Sequence, residues 1–125
     1  MPKTVKELLA AANAEVPKLS PAEAVAKLAE PGVLVVDVRD PAELAQSGKI
    51  RGSVNVPRGM LEFRADETTP YHNPAFSKAK TIILYCASGG RAALAGKALQ
   101  ELGYTKVFNL GGFKDWVAAG GAVER

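Results

Sequence analysis

Two apolar runs constrain this chain more than any other feature. Val33-Leu34-Val35-Val36-Asp37 and Thr81-Ile82-Ile83-Leu84-Tyr85 are continuous and rich in β-branched residues. A strand with one wet face alternates apolar and polar residues. A continuous run fits a strand covered on both faces, as in a parallel sheet. The segments around the runs carry helix punctuation. Thr4-x-x-Glu7 is a capping-box pattern, followed by Val5, Leu8, Leu9, Ala12 and Val16 at helical spacing up to Pro17. Ser20-Pro21-Ala22-Glu23 starts a second helix, which stops before Pro31, and Asp40-Pro41-Ala42-Glu43 starts a short third one closed by Gly48. A further helix is predicted from about Arg91 to Leu102, with Gly103 as its C-cap. Ser53 to Val56 and Val107 to Leu110 read as strands, Arg58 to Phe63 as a helical turn or two, and Gly111-Gly112 as a break before a closing helix. Residues 65 to 75 are polar, contain Pro70 and Pro74, and read as a loop. Strands alternating with helices predict an α/β fold with a mainly parallel sheet. The first helix, within residues 1–17, precedes the segment 18–125 that carries this alternation.

Composition narrows the class. A length of 125 residues suits one domain with a real core, and 47% hydrophobic with 23% charged residues is an ordinary globular mix. Sixteen Lys and Arg against thirteen Asp and Glu leave +3, spread along the chain. Without a basic run or an aromatic ladder, this excess argues for small anionic substrates rather than nucleic acid. The single cysteine excludes an intrachain disulfide and a cysteine-based metal cluster. A lone thiol suggests a reducing compartment. Lys3, Lys6 and Glu7 interrupt any signal-peptide pattern, and no run is long and apolar enough to span a membrane. The expectation is a cytoplasmic protein with no membrane partner, metal or cofactor.

Chemistry concentrates in Tyr85-Cys86-Ala87-Ser88-Gly89-Gly90-Arg91. The cysteine ends a buried strand, at the sheet edge where open α/β folds bind ligands. The next four residues are small, so the backbone can curl round a small group. A helix follows at once, and its free amides and positive dipole end favour thiolate over thiol. The same amides could hold a second sulfur. Ala87, Ser88, Gly89, Gly90 and Arg91 are therefore candidate substrate-binding residues, Arg91 as a fixed forked cation, and Cys86 is the nucleophile. The competing readings are an inert buried cysteine and a solvated arginine. His72, the only histidine, lies in the polar loop and reads as a surface residue rather than a base or zinc ligand.

At these residues the sequence resembles the rhodanese family, over about residues 18 to 124. Four motifs stand in order: Val36-Asp37-Val38-Arg39 followed by Glu43; Gly48-Lys49-Ile50-Arg51-Gly52-Ser53-Val54-Asn55-Val56-Pro57; the loop Cys86 to Arg91; and Leu110-Gly111-Gly112-Phe113 with Trp116 and Gly120. The resemblance implies a rhodanese domain over 18–125, with a five-stranded, mostly parallel sheet flanked by helices. It implies transfer of sulfane sulfur from a small anionic donor, through a Cys86 persulfide, to a thiophilic acceptor such as cyanide, a thiol or a partner protein's thiol. Asp37, Arg39 and Glu43 are expected to form one internal network near the sheet end, and Asn55 to fix a loop by backbone bonds. Arg58 and Arg64 are placed at the mouth of the site or on a solvated face.

Loop length separates sulfur from phosphorus chemistry. Four residues lie between Cys86 and Arg91, and position 92 is alanine. The related phosphatases and arsenate reductases have five, enough to surround a tetrahedral anion. Two departures from the family pattern matter: Lys49 stands where many relatives have histidine, and Ala87 where many carry a charge. The second makes the site less positive and weakens thiosulfate as preferred donor. A non-catalytic binding or sulfur-sensing module is the alternative.

Overall fold

The computed structural model describes residues 2–125. Two capped helices come first: α1 (Val5–Glu15) and α2 (Pro21–Leu28), each with a reciprocal capping box, Thr4 with Glu7 and Ser20 with Glu23. There follow β1 (Val33–Asp37), α3 (Pro41–Ser47), β2 (Lys49–Ile50), β3 (Val54–Asn55), a 3₁₀ turn (Arg58–Met60) and α4 (Leu61–Ala65). The second half holds β4 (Thr81–Cys86), α5 (Gly90–Glu101), β5 (Val107–Gly112), α6 (Phe113–Ala118) and β6 (Val123–Glu124). No helix among the described residues is long and apolar enough to cross a membrane.

The sheet is parallel, in the order β3-β1-β4-β5. It has four strands, not the five expected. The place beyond β5 is taken by a single parallel bridge, Lys18 to Asn109. There Leu19 N donates to Asn109 O at 2.9 Å and Asn109 N to Pro17 O at 2.8 Å. Pro17 has no amide proton to extend the ladder, and α2 starts at Pro21, so the segment ends as a stub. Two elements unforeseen in the sequence, β2 and β6, form a separate antiparallel pair.

The apolar runs are buried on both faces, as their lack of alternation requires. Leu34, Val36, Ile82, Leu84 and Cys86 pack with Ala92, Ala95 and Leu99 of α5. Val35, Ile83 and Tyr85 pack on the other side with Ile50, Leu110 and Trp116. The period of two thus puts Cys86 on the α5 face and Tyr85 on the opposite one. Gly96 lets α1 close onto α5, since a side chain there would come within 2.8 Å of Val16 Cγ1.

Candidate active site

Cys86 ends β4 and its side chain is buried, with 1% of the residue exposed. The chain then turns through Ala87-Ser88-Gly89 into α5, whose first residue is Gly90. Gly89 is the pivot. Its φ of 102° lies in the left-handed region, and its amide donates to Cys86 Sγ at 2.9 Å. The sulfur therefore accepts from the N-cap amide of a twelve-residue helix.

The loop is braced from behind by β5. Asn109 Nδ2 donates to Gly89 O at 3.2 Å, and Asn109 Oδ1 accepts from Gly111 N at 2.8 Å. Asn109 is 2% exposed, so both bonds are made out of water, where an unmade bond is costly. A Cβ on Gly112 would stand 2.7 Å from Ala87 O, so only glycine lets β5 approach the loop this closely. The predicted break at Gly111-Gly112 is instead the end of β5, reached after a register shift opposite Leu84 and Tyr85. Asn109 was missed in the sequence. Its signal was one amide side chain inside an otherwise apolar strand.

The charged groups divide into two pairs rather than one network. Arg39 Nε and Nη2 hold Asp37 Oδ1 and Oδ2 at 2.9 and 2.6 Å, and Nη1 and Nη2 also donate to Ser47 Oγ and Gly48 O. This pair is fully buried, and the guanidinium carbon lies 4.5 Å from the Phe113 ring centroid and 5.6 Å from that of Tyr85. Its arrangement ties the end of β1 to the end of α3. Tyr85 Oη, which accepts from Ile50 N and shares a hydrogen bond with Ser53, has its pKa pushed up to about 12 by burial.

Glu43 belongs elsewhere. Its two oxygens take Arg91 Nη1 and Nη2 at 2.8 and 2.9 Å, and Oε2 also accepts the Asp40 amide. The Arg91 fork holds the Glu43 carboxyl down at about 2, against the penalty of partial burial. Arg91, expected as a fixed, substrate-binding cation, spends its fork on this carboxylate. Arg58 pairs with Glu62 at 2.8 Å, and lines neither cleft that borders the loop. Asn55 Nδ2 donates to Asp37 O and Arg39 O at 3.0 and 2.8 Å, the backbone-fixing bonds expected of it. His72 hydrogen-bonds to Phe76 O and lines a separate pocket that contains no residue of the sulfur loop.

Two clefts flank the loop. One, of about 310 Å³, has Ser88, Gly89 and Gly90 on one side and Leu9 and Asn13 of α1 on another. The second, of about 180 Å³, includes Ala87 and Lys114. Helix α1 thus reaches the neighbourhood of the site, which its place outside the motifs did not disclose.

A lone thiol under a helix N-terminus, in a tight loop at the carboxyl edge of a parallel sheet, defines an α/β protein with a cysteine-centred candidate site. The profile of the Rhodanese-like domain matches residues 20–119, and the chain belongs to the rhodanese family. It is 36% identical over 89 residues to a sulfurtransferase of Allochromatium vinosum, covering 70% of this chain and 75% of that protein. It is 34% identical over 80 residues to thiosulfate sulfurtransferase PspE of Escherichia coli, covering 64% and 70%. Among solved structures it is similar to a protein of unknown function and possible tyrosine phosphatase from Rhodopseudomonas palustris. That likeness has a TM-score of 0.90, 43% identity and 99% coverage of both chains, α1 included.

Proposed function

We propose that this protein is a sulfurtransferase that carries sulfane sulfur as a persulfide on Cys86. The observation that carries the reading is the Gly89 amide donating to Cys86 Sγ at 2.9 Å, in a loop with four small residues between Cys86 and Arg91. Amides that favour one anionic sulfur favour a second bound to it. The Cys86 thiolate attacks the outer sulfur of thiosulfate or a related donor. The donor's S–S bond breaks, and sulfite leaves with the electron pair. A thiophilic acceptor, such as cyanide, a thiol or a protein thiol, then attacks the outer sulfur. The persulfide bond breaks and the Cys86 thiolate returns. Ala87 to Gly90 line the bound sulfur with backbone amides, whereas Arg91 orients α5 through Glu43. The names of the Allochromatium and Escherichia relatives support the transferase reading and, for the second, thiosulfate as donor.

The Rhodopseudomonas relative makes phosphatase chemistry the second reading. Two features weigh against it. The loop is one residue short of the phosphatase pattern, and the Arg91 fork that would grip equatorial phosphate oxygens already holds Glu43.

Intact mass after addition of thiosulfate, with thiosulfate:cyanide turnover, tests both. Wild type should gain roughly 32 Da, one sulfur, and lose it on adding cyanide, while Cys86→Ser should do neither. Hydrolysis of an aryl phosphate that disappears in Cys86→Ser, with no mass gain, would reverse the assignment.

A further inference from the structure

β5 carries one polar side chain, Asn109, and it stands behind the sulfur loop. The pairing of β5 with β4 shifts register there. Asn109 lies opposite Leu84 but Gly111 opposite Tyr85, so Leu110 has no partner residue on β4. The Asn109 side chain closes both sides of this irregularity. Its Oδ1 accepts the Gly111 amide at 2.8 Å, and its Nδ2 donates across to Gly89 O at 3.2 Å. A carboxamide can accept and donate at once, whereas a leucine of similar size does neither. With 2% of the residue exposed, Asn109 would cost more than an apolar side chain were these bonds unmade.

The bond to Gly89 O reaches towards the sulfur through the backbone. That oxygen also accepts from Ala93 N at 3.0 Å, the first bond of α5. It belongs to the Gly89–Gly90 peptide, a trans unit whose N–H points opposite to its C=O. A second donor on the oxygen polarises that N–H further. The Gly90 amide has no acceptor among the described residues, and the preceding amide, that of Gly89, donates to Cys86 Sγ at 2.9 Å. Asn109 thus holds the peptide plane adjoining the one that meets the sulfur.

We propose that Asn109 is a positioning residue for the Cys86 thiolate. By holding the Gly89–Gly90 peptide, it keeps two consecutive loop amides favouring negative charge on sulfur, and it acts through Gly89 rather than on a substrate. Its effect on turnover rests on the sulfurtransferase reading; its effect on the thiolate does not. The charged groups flanking the loop are the matched Arg39–Asp37 and Arg91–Glu43 pairs, Lys18 and Asp115 on one side, and Lys114 on the other. Lys114 enters no ion pair among the described residues. A change at Asn109 alone leaves all of these charges in place.

Alkylation of Cys86 by iodoacetamide, followed against pH, tests the proposal. Asn109→Leu should displace the profile upward by about one pH unit, so that the variant reacts about tenfold more slowly on the acid limb. The plateau rate at high pH should stay within about twofold of wild type, because a more basic thiolate is no poorer a nucleophile. Asn109→Ala should do the same, and sulfur uptake from thiosulfate on the acid limb should slow with it. Leu99→Ala, which empties a fully buried position in the last turn of α5, should lower the melting temperature and leave the profile in place. In wild type, the side-chain amide resonances of Asn109 should move as Cys86 titrates. A profile that stays put in both Asn109 variants, an equal displacement in Leu99→Ala, or wild-type Asn109 resonances that ignore the titration would overturn the proposal. A displaced profile in a protein that takes up no sulfur would instead sink the sulfurtransferase reading and leave Asn109 as the residue that sets the thiolate.

Discussion

Arg91 and Glu43 lie 48 residues apart in the chain, yet their side chains meet as a fork at 2.8 and 2.9 Å, across the site. Glu43 sits in the first turn of α3 and Arg91 in the first turn of α5, so one ion pair locks two helix starts together. The pair ties the start of α5, next to the Gly89 amide that meets Cys86, to the start of α3. It also cancels the one charge that the sequence pattern placed beside the sulfur.

Breaking the fork should loosen the loop, lower stability near neutral pH and flatten its dependence on acid. Glu43→Gln keeps the size and removes the charge. It should cost about 1 kcal/mol near neutral pH, discounted because each side chain is about one-third exposed. The Glu43 carboxyl is lowered from 4.5 to about 2, so its stabilisation is present above pH 4.5 and lost as pH falls towards 2. Unfolding curves of wild type and variant should therefore differ at pH 6 and converge near pH 2. Curves that stay equally far apart at both would show that the pair contributes nothing through ionisation.

Gly112→Ala should separate folding from chemistry. The new methyl group would meet the Ala87 carbonyl oxygen at 2.7 Å and Ser88 Cα at 3.3 Å, both backbone atoms that cannot swing away. The loop must shift by a few tenths of an ångström or more. Sulfur uptake at Cys86 should slow by about 10- to 100-fold while the far-ultraviolet circular dichroism stays native. Full activity would mean that the loop geometry tolerates displacement.

Removal of residues 1–17 should lower stability more than turnover. The segment takes Ala12 and Val16, 0% and 2% exposed, out of the core, and uncovers Gly96 on α5. Losing one buried valine contact alone is worth about 2 kcal/mol. Thermal unfolding should move to clearly lower temperature, with thiosulfate:cyanide turnover retained at 20 °C. A truncated chain that folds but does not turn over would place α1, through Leu9 and Asn13 beside the loop, in the catalytic machinery.

Much of the site was legible because its determinants are local. Helix starts at Thr4, Ser20 and Asp40 follow from side chains three or four residues apart. The two continuous apolar runs dictate strands covered on both faces. Cys86 followed by four small residues and a helix is a contiguous pattern, whereas Asn55, whose partners Asp37 O and Arg39 O lie 18 and 16 residues back, was placed by the family resemblance. Asn109 was hidden because its partners, Gly89 and Gly111, become neighbours only when β4 and β5 pair. The short β2–β6 pair was hidden too, since two-residue strands carry no periodicity.

The sequence by itself determined that this chain forms a parallel α/β sheet with one thiol at the carboxyl end of a central strand, because apolar periodicity and helix caps act over a few residues. Only the tertiary structure decided which charge meets which. Glu43 left the Asp37–Arg39 pair for Arg91, and Lys114 was left unmatched beside Ala87. Ion pairing depends on through-space distance and on which group has been desolvated, and neither is written in the spacing of residues along the chain.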